Sequence, residues 1–342
     1  MILPDPIGPI SEIAFAALRE SAESVAGAEV PVSVRPLSDD DLHLALNCLY
    51  NVHYDGFDHG TDRHEWHPVV LDLRGQMEEQ FLSALRERYG GEPAHESPEL
   101  GRDELLRCGA EAAGADSSIH GVSLSEYVES RATPEDFREL LIHRSIYQLK
   151  EADAHTWGIP RVRGGVKSGL VAIQADEYGF GEPGEAHAEV FARLMRRWKL
   201  DSRPGAYLKY VPGSTLATDN LVSLFGLHRN LRWALVGHLA YAEITSSAGM
   251  KRYSRGLRRL SKVVPDEDFF QLHADVDDSH AKIAVDLMLA AIPFDDLPAI
   301  ADVKFGVRAL VGLSVGFANA VIAAWQSGTT SLRMPHPSAA RG

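Results

Sequence analysis

Cysteine is nearly missing from this chain of 342 residues: Cys48 and Cys108 are the only two. Two distant thiols exclude a disulfide scaffold and a thiolate metal site, and they fit a reducing, cytoplasmic setting. Positive charge is scarce as well, with 34 Lys and Arg against 48 Asp and Glu, for a net charge of -14. Nucleic acid calls for a basic face and an anionic membrane surface for a polybasic one, so neither partner is expected. Long apolar runs are lacking. The most apolar stretch, 309–325, is interrupted by Gly312, Ser314, Gly316 and Asn319 and is short for a membrane span, so it reads as a buried core helix. The first residues, Met1 to Pro6, contain no basic segment followed by an apolar one, and no signal peptide is expected. Strand-like alternation is confined to Val30–Val34, and no internal repeat is found.

What is present is helical periodicity, in a chain whose 45% hydrophobic content can supply a sizeable core. An apolar segment over 10–25 precedes a second helix, opened by Ser38 and the acidic run Asp39 to Asp41. A third covers 67–89. Thr133 and Pro134 start a helix expected to run to Trp157, and Arg163-Gly164 turns into another that ends at Glu177. A further helix carries His187, a single long one covers 221–247, and others span about 266–291 and 300–326. The fold class is all-α, with a helical bundle as its core. The segment 90–132, rich in Gly, Ser, Glu and Ala, is the best boundary. It divides an accessory helical region, 1–132, from a main helical domain, 133–327, and a flexible tail, 328–342, is expected to follow.

The chemistry concentrates in the helix that begins after Pro265. His273, Asp277 and His280 stand at i, i+4 and i+7 and so share one face, beside Val276, Ala284 and Leu287. Burying such groups is costly without a partner, and imidazole with carboxylate suits iron, manganese or zinc. An exposed Asp- and His-rich face is the plainer alternative. An oxygen-activating pair of irons needs about six or seven ligands. Glu151, Glu177, His187 and Glu243, polar groups on otherwise apolar helices, qualify as the others. Four carboxylates would balance two ferrous ions. No pair of Glu-x-x-His motifs on two helices is available for a ferritin-like site. His53, His59, His64 and His67 read as solvated loop histidines or a rim, His155 as a rival ligand one turn from Glu151, and His238 as a core histidine.

Several of these pieces together resemble the heme-oxygenase-like diiron oxidases and oxygenases, the iron-containing redox enzymes. They are the run from Leu149 to Trp157, Gln174-Ala175-Asp176-Glu177-Tyr178-Gly179, His187, Gly237 to Glu243, and the His273, Asp277, His280 face. The resemblance runs over roughly 135–290 and implies a heme-oxygenase-like bundle. It implies Glu151, His187, Glu243, His273, Asp277 and His280 as ligands to two Fe ions that use O2 and an external reductant. Glu177 is similar to the additional carboxylate of the N-oxygenating members, either as a ligand or orienting a histidine. The implied activity is N-oxygenation of a small amine, guanidine or aminoazole in natural-product biosynthesis, by a cytoplasmic homodimer served by an electron donor. Because the sequence ends at 342 without the cupin domain of one such member, N–N bond formation is expected to be absent. The alternatives are oxidative C–C cleavage or desaturation of an amino or fatty acid within the same family, and a non-enzymatic metal- or heme-binding scaffold.

Overall fold

Every regular element among the described residues is helical. The computed structural model describes residues 1–19, 21–58, 61–90, 100–113, 122–261, 269–293 and 295–335, without the side chains of Thr61, Asp277 and Asp278. The helices are α1 (Pro9–Arg19), α2 (Asp40–Asn51), α3 (Pro68–Tyr89), α4 (Arg102–Ala113), α5 (Leu124–Ser130), α6 (Pro134–Gln148) and α7 (Asp153–Thr156). They continue with α8 (Gly164–Glu177), α9 (His187–Arg197), α10 (Gly213–Leu227), α11 (Arg232–Ser261), α12 (Phe269–Ile283) and α13 (Leu297–Gln326). Local chemistry accounts for most starts. Asp39 caps α2 by accepting from the amides of Asp41 and Leu42, and Thr133 with Asp136 forms a capping box on α6 ahead of Pro134. The segment 30–34 is not a strand. Its Val30 and Ser33 amides donate to the side chains of Gln76 and Gln80 on α3, which satisfies the backbone without a ladder.

The first three helices share a hydrophobic core with α10 and other later helices. Leu42, Leu46 and Leu49 of α2 join Leu221, Val222 and Phe225 of α10 in it. Polar ties cross the same boundary. Asn47 donates to Asp219 at 2.7 Å and to Asn220 at 2.9 Å, and Lys150 pairs with Asp219 at 2.9 Å. Helices α11 and α13 cross in close contact. A methyl group at Gly237 would overlap the Val303 carbonyl, and one at Gly306 the Ala234 carbonyl, so two backbones meet where neither residue has a side chain. By length and composition α13 could cross a membrane, but its buried residues Val303, Val307 and Ile300 pack in the cluster that also holds Val236 and Leu239 of α11.

Four expectations change. The helix expected over 133–157 stops at Gln148, because Ala152 takes a positive φ of 78° and restarts the chain as α7. The single helix expected over 221–247 is two, parted by an extended His228 and a short 3₁₀ turn. The helix after His280 does not stay regular: Ala284–Met288 is a π-helical turn, a feature that recurs near functional sites. Through residue 335 the tail is not free. Glu139 accepts from the Ser331 amide and hydroxyl, and the Arg333 amide donates to Tyr210.

Candidate metal centre

Three structural devices bring the candidate residues together. The break after α6 leaves Glu151 in a turn rather than on a helix. Gln148 donates to its Oε1 at 2.7 Å, and Gln174 of α8 holds the strained turn by donating to the Ala152 carbonyl at 2.6 Å. Glu177 is the last residue of α8. Gly179, Phe180 and Gly181, with φ of 65°, 51° and 83°, turn the chain away there. Tyr178 bonds Asp153 at 2.8 Å and Thr156 at 2.9 Å, which ties the end of α8 to α7 and keeps Glu177 beside Glu151. His187 opens α9, Glu243 lies within α11, and His273 and His280 lie two turns apart on α12.

Ligand atoms from these helices form two groups, each with all its atoms within 4.8 Å of one another. One contains Glu151, Glu177, His187 and His273; the other contains Glu177, Glu243 and His280. Glu177 belongs to both. Its Oε2 lies 2.7 Å from His187 Nδ1, and its Oε1 lies 3.8 Å from His280 Nδ1. Glu151 Oε2 is 3.4 Å from His273 Nε2, and Glu243 Oε2 is 3.2 Å from His280 Nδ1. Asp277 has its backbone in α12 between the two histidines, but its side chain lies outside the described residues.

The donors fit a bound cation better than they fit one another. Glu151 Oε2 and Glu177 Oε2 are buried and make no directional hydrogen bond, although imidazole nitrogens stand within ion-pair distance. His187 Nδ1 and His273 Nε2 face each other at 3.2 Å. The far nitrogen of His273 meets the Phe269 carbonyl at 3.1 Å, which places a proton on Nδ1 and aims Nε2 inward. Burial opposes charge on His273, yet Glu151 and Glu177 outweigh it and push its pKa up to about 10. On His280 burial is likewise outweighed, by Glu243 and then Glu177, to about 9. Burial also opposes charge on Glu177, and His187, His273 and His280 hold its pKa below the ordinary carboxylate value. Protons on imidazoles thus offset the crowded carboxylates, a role that a metal would take over by displacing them.

Three residues near the centre were not among the candidate ligands read from the sequence. Asp176 accepts from His280 Nε2 at 2.8 Å and turns the other ring nitrogen toward Glu177 and Glu243. Gln148 and Gln174 hold Glu151 and its turn. The one available signal was the adjacent pair Asp176-Glu177, whose side chains diverge at a helix end. His155 is not in either group; it contacts His238 at 3.1 Å. The loop histidines also depart from expectation. His53 and His64 are buried, and His67 caps α3 by accepting from the Val69 amide, so they are structural. His59 lies outside the described residues. Beside the centre opens a cavity of about 450 Å³, lined by Glu151, Glu177, Glu243 and His273 and by Arg144 and Tyr253 among others.

Residues 138–314, just over half of the chain and spanning every candidate ligand, match the family model described as iron-containing redox enzyme. Among curated proteins, the chain is similar to a nitrosourea synthase from Streptomyces achromogenes subsp. streptozoticus, with 26% identity over 136 residues. That match covers 40% of this chain and 29% of the relative, so the chain spans under a third of the protein it matches.

Proposed function

We propose a function from one premise: the chain belongs to the family of iron-containing redox enzymes, all-α and heme-oxygenase-like. As such it is an oxidoreductase. Our reading is a non-heme diiron oxygenase that transfers oxygen from O2 to a nitrogen of a small metabolite. Glu151, Glu177, His187 and His273 would hold one iron, and Glu177, Glu243 and His280 the other, with Asp277 as a further ligand from α12. The observation that carries the reading is the membership of Glu177 in both groups, since one carboxylate between two positions joins them into a pair. The likeness to a nitrosourea synthase, whose named product class contains an N–O bond, favours nitrogen as the oxidised atom. An amine, guanidine or aminoazole is the substrate class, an outside donor returns the irons to the ferrous state, and the setting is cytoplasmic.

Bound iron would supply O2 activation. The chain supplies the rest. Asp176, the Phe269 carbonyl and Gln148 hold His280, His273 and Glu151 in orientation, so the ligands need little rearrangement on binding metal. The cavity admits a small substrate beside the centre and walls it with Leu239, Met250 and Leu310, which limits bulk water. His143 and His238 in the same wall are kept neutral by burial, with pKa values lowered to about 3 and about 4, so they do not repel a cationic amine.

The test is anaerobic loading with ferrous iron followed by an O2 pulse, with and without candidate amines. The expected result is two irons per chain and an amine-dependent acceleration, with one oxygen atom from O2 in the nitrogen product. Cleavage or desaturation of an amino or fatty acid, with the amines unoxidised, would replace this reading by its neighbour in the same family. Iron uptake without any substrate-dependent O2 consumption would reduce the protein to a metal-binding scaffold.

A further inference from the structure

The net charge is -14, yet three arginines gather without a carboxylate where α11 begins. Arg161 ends the 3₁₀ turn Ile159–Arg161, and Arg229 opens the turn Arg229–Leu231 that leads into Arg232 and α11. Close packing brings these segments together: a methyl group at Gly226 would overlap the Ala154 carbonyl, and one at Gly158 would overlap Leu235. Arg161 Nη2 donates to the Leu227 carbonyl at 3.1 Å, and Arg232 Nη1 donates to the Arg229 carbonyl at 3.1 Å. Carbonyls orient these guanidinium groups without cancelling their charge. Arg161 Nη1 is buried and unpartnered, and among the described residues none of the three arginines makes an ion pair. Burial and then the charge of Arg229 lower the pKa of Arg161, so the two guanidinium groups feel each other. The positive end of the α11 dipole adds to the same patch. Arg229 is exposed, and Arg161 and Arg232 are half-buried.

Two half-buried indoles stand among these charges. The Arg161 guanidinium lies 5.9 Å from the centre of the Trp157 ring, and that of Arg232 lies 5.3 Å from the centre of Trp233. Trp157 follows His155 closely in the chain, and Trp233 shares α11 with His238. His155 contacts His238 at 3.1 Å, and both line the cavity with Glu151. Along α11 the rise from Arg232 to Glu243 is roughly 16 Å, so one rigid helix joins the patch to the candidate ligands.

We propose that this patch docks a small acidic protein that carries one electron at a time and returns the irons to the ferrous state. Carboxylates of the partner meet Arg161, Arg229 and Arg232, and the two indoles form the apolar middle of the contact, where Arg and Trp contribute most. Each docking passes one electron from the reduced carrier, which is oxidised, to a ferric ion, which becomes ferrous; no atom moves, and two dockings restore a pair. The rest of the chain, negative on balance, repels the same partner, so productive contact is confined to the patch and weakens with salt. The electron transfer rests on the proposed oxygenase reading; the docking surface does not.

Binding is measured on the metal-free full chain by calorimetry, with a plant-type ferredoxin, an acidic iron–sulfur protein, as the probe. Binding at low salt that fades toward physiological salt is expected. Arg229→Glu with Arg232→Glu should weaken it by roughly tenfold or more, Arg229→Gln with Arg232→Gln by less, and both should melt with the wild type. Arg203→Glu reverses an exposed arginine paired with Asp201 outside the patch and should leave binding unchanged. Reduction is then followed by stopped flow on the iron-loaded, oxidised chain. Reduced ferredoxin should reduce the ferric centre roughly tenfold or more slowly in the charge-reversed variant, while the methyl viologen radical, a small cation that needs no docking, reduces both chains alike. No ferredoxin binding at low salt, or an equal loss in Arg203→Glu, overturns the surface. Displacement by inorganic phosphate far beyond that by chloride at equal ionic strength overturns it in favour of a small-anion site. Patch-dependent binding without reduction by ferredoxin keeps the surface and overturns the electron route. A centre that the methyl viologen radical also leaves ferric counts against the oxygenase reading, and the binding measurement still decides the surface.

Discussion

At the scale of single residues, the centre divides into groups that would hold metal and groups that aim them. Glu177 is the only residue common to both ligand groups among the described residues. Glu177→Gln should therefore empty both positions, whereas Glu243→Gln should keep about half of the bound iron, since the four-residue group survives it. Iron content after gel filtration, measured with a ferrous chelator, separates the two. Wild-type stoichiometry in Glu177→Gln would refute the shared role. Among the described residues, Asp176 touches the centre only through His280 Nε2. Asp176→Ala should lower iron affinity by about 10–100-fold while the helical circular dichroism is unchanged. A chelator competition titration gives the number, and unaltered affinity would demote Asp176 to a surface partner of the ring.

At the scale of elements, α12 carries His273 and His280 and, in the proposed site, Asp277, and α11 supports it from behind. The α11–α13 crossing at Gly237 and Gly306 holds that support in place. Gly237→Ala or Gly306→Ala would drive a methyl group into a backbone carbonyl, which cannot step aside as a side chain could. Each should cost about 1–3 kcal/mol or more in urea unfolding, and the two together should be non-additive because they share one contact. A cost near zero would mean that the helices can part without penalty. On the other side, α12 meets the turn before α7, and α8 and α9, through buried polar contacts with Glu151, Glu177, Asp176 and His187, and α9 also through Phe191 against Phe269. Metal should replace those contacts with stronger bonds. At iron a hundredfold above its dissociation constant, the chain should gain about 2.7 kcal/mol, with hydrogen-exchange protection rising most over 269–283. A melting point indifferent to iron and restored chelator would contradict a site assembled from so many elements.

The whole molecule stores neutral histidines in its core, and this sets an acid limit. Burial lowers the pKa of His43 to about 4, of His143 to about 3 and of His238 to about 4. Once unfolded, each returns to about 6.5, so the unfolded chain takes up protons that the folded chain refuses as pH falls below that value. Stability is present in full above pH 6.5 and is lost on the way down through the folded values, by up to roughly 3 kcal/mol each for His43 and His238 and roughly 5 kcal/mol for His143. His273 and His280, with raised values, are protonated in both states across that window and do not offset the loss. Urea midpoints between pH 7 and pH 4.5 measure the effect, and a flat profile would mean that these rings are wetted.

By itself the sequence determined which segments are helices and where several begin, because caps, proline positions and apolar spacing act over a few residues. It also determined that His273, Asp277 and His280 share a face, since helical geometry alone places i, i+4 and i+7 together. Polarity on otherwise apolar helices singled out Glu151, Glu177, His187 and Glu243, the resemblance implied their role, and the fold brings all four to that face. Only the tertiary structure decided that Glu151 rides in a break, that Glu177 stands between two groups, and that Asp176 turns His280. Those facts depend on which distant chains meet. Whether a buried charge finds a partner is a property of the packing around it, and nothing in its own few neighbours along the chain encodes that.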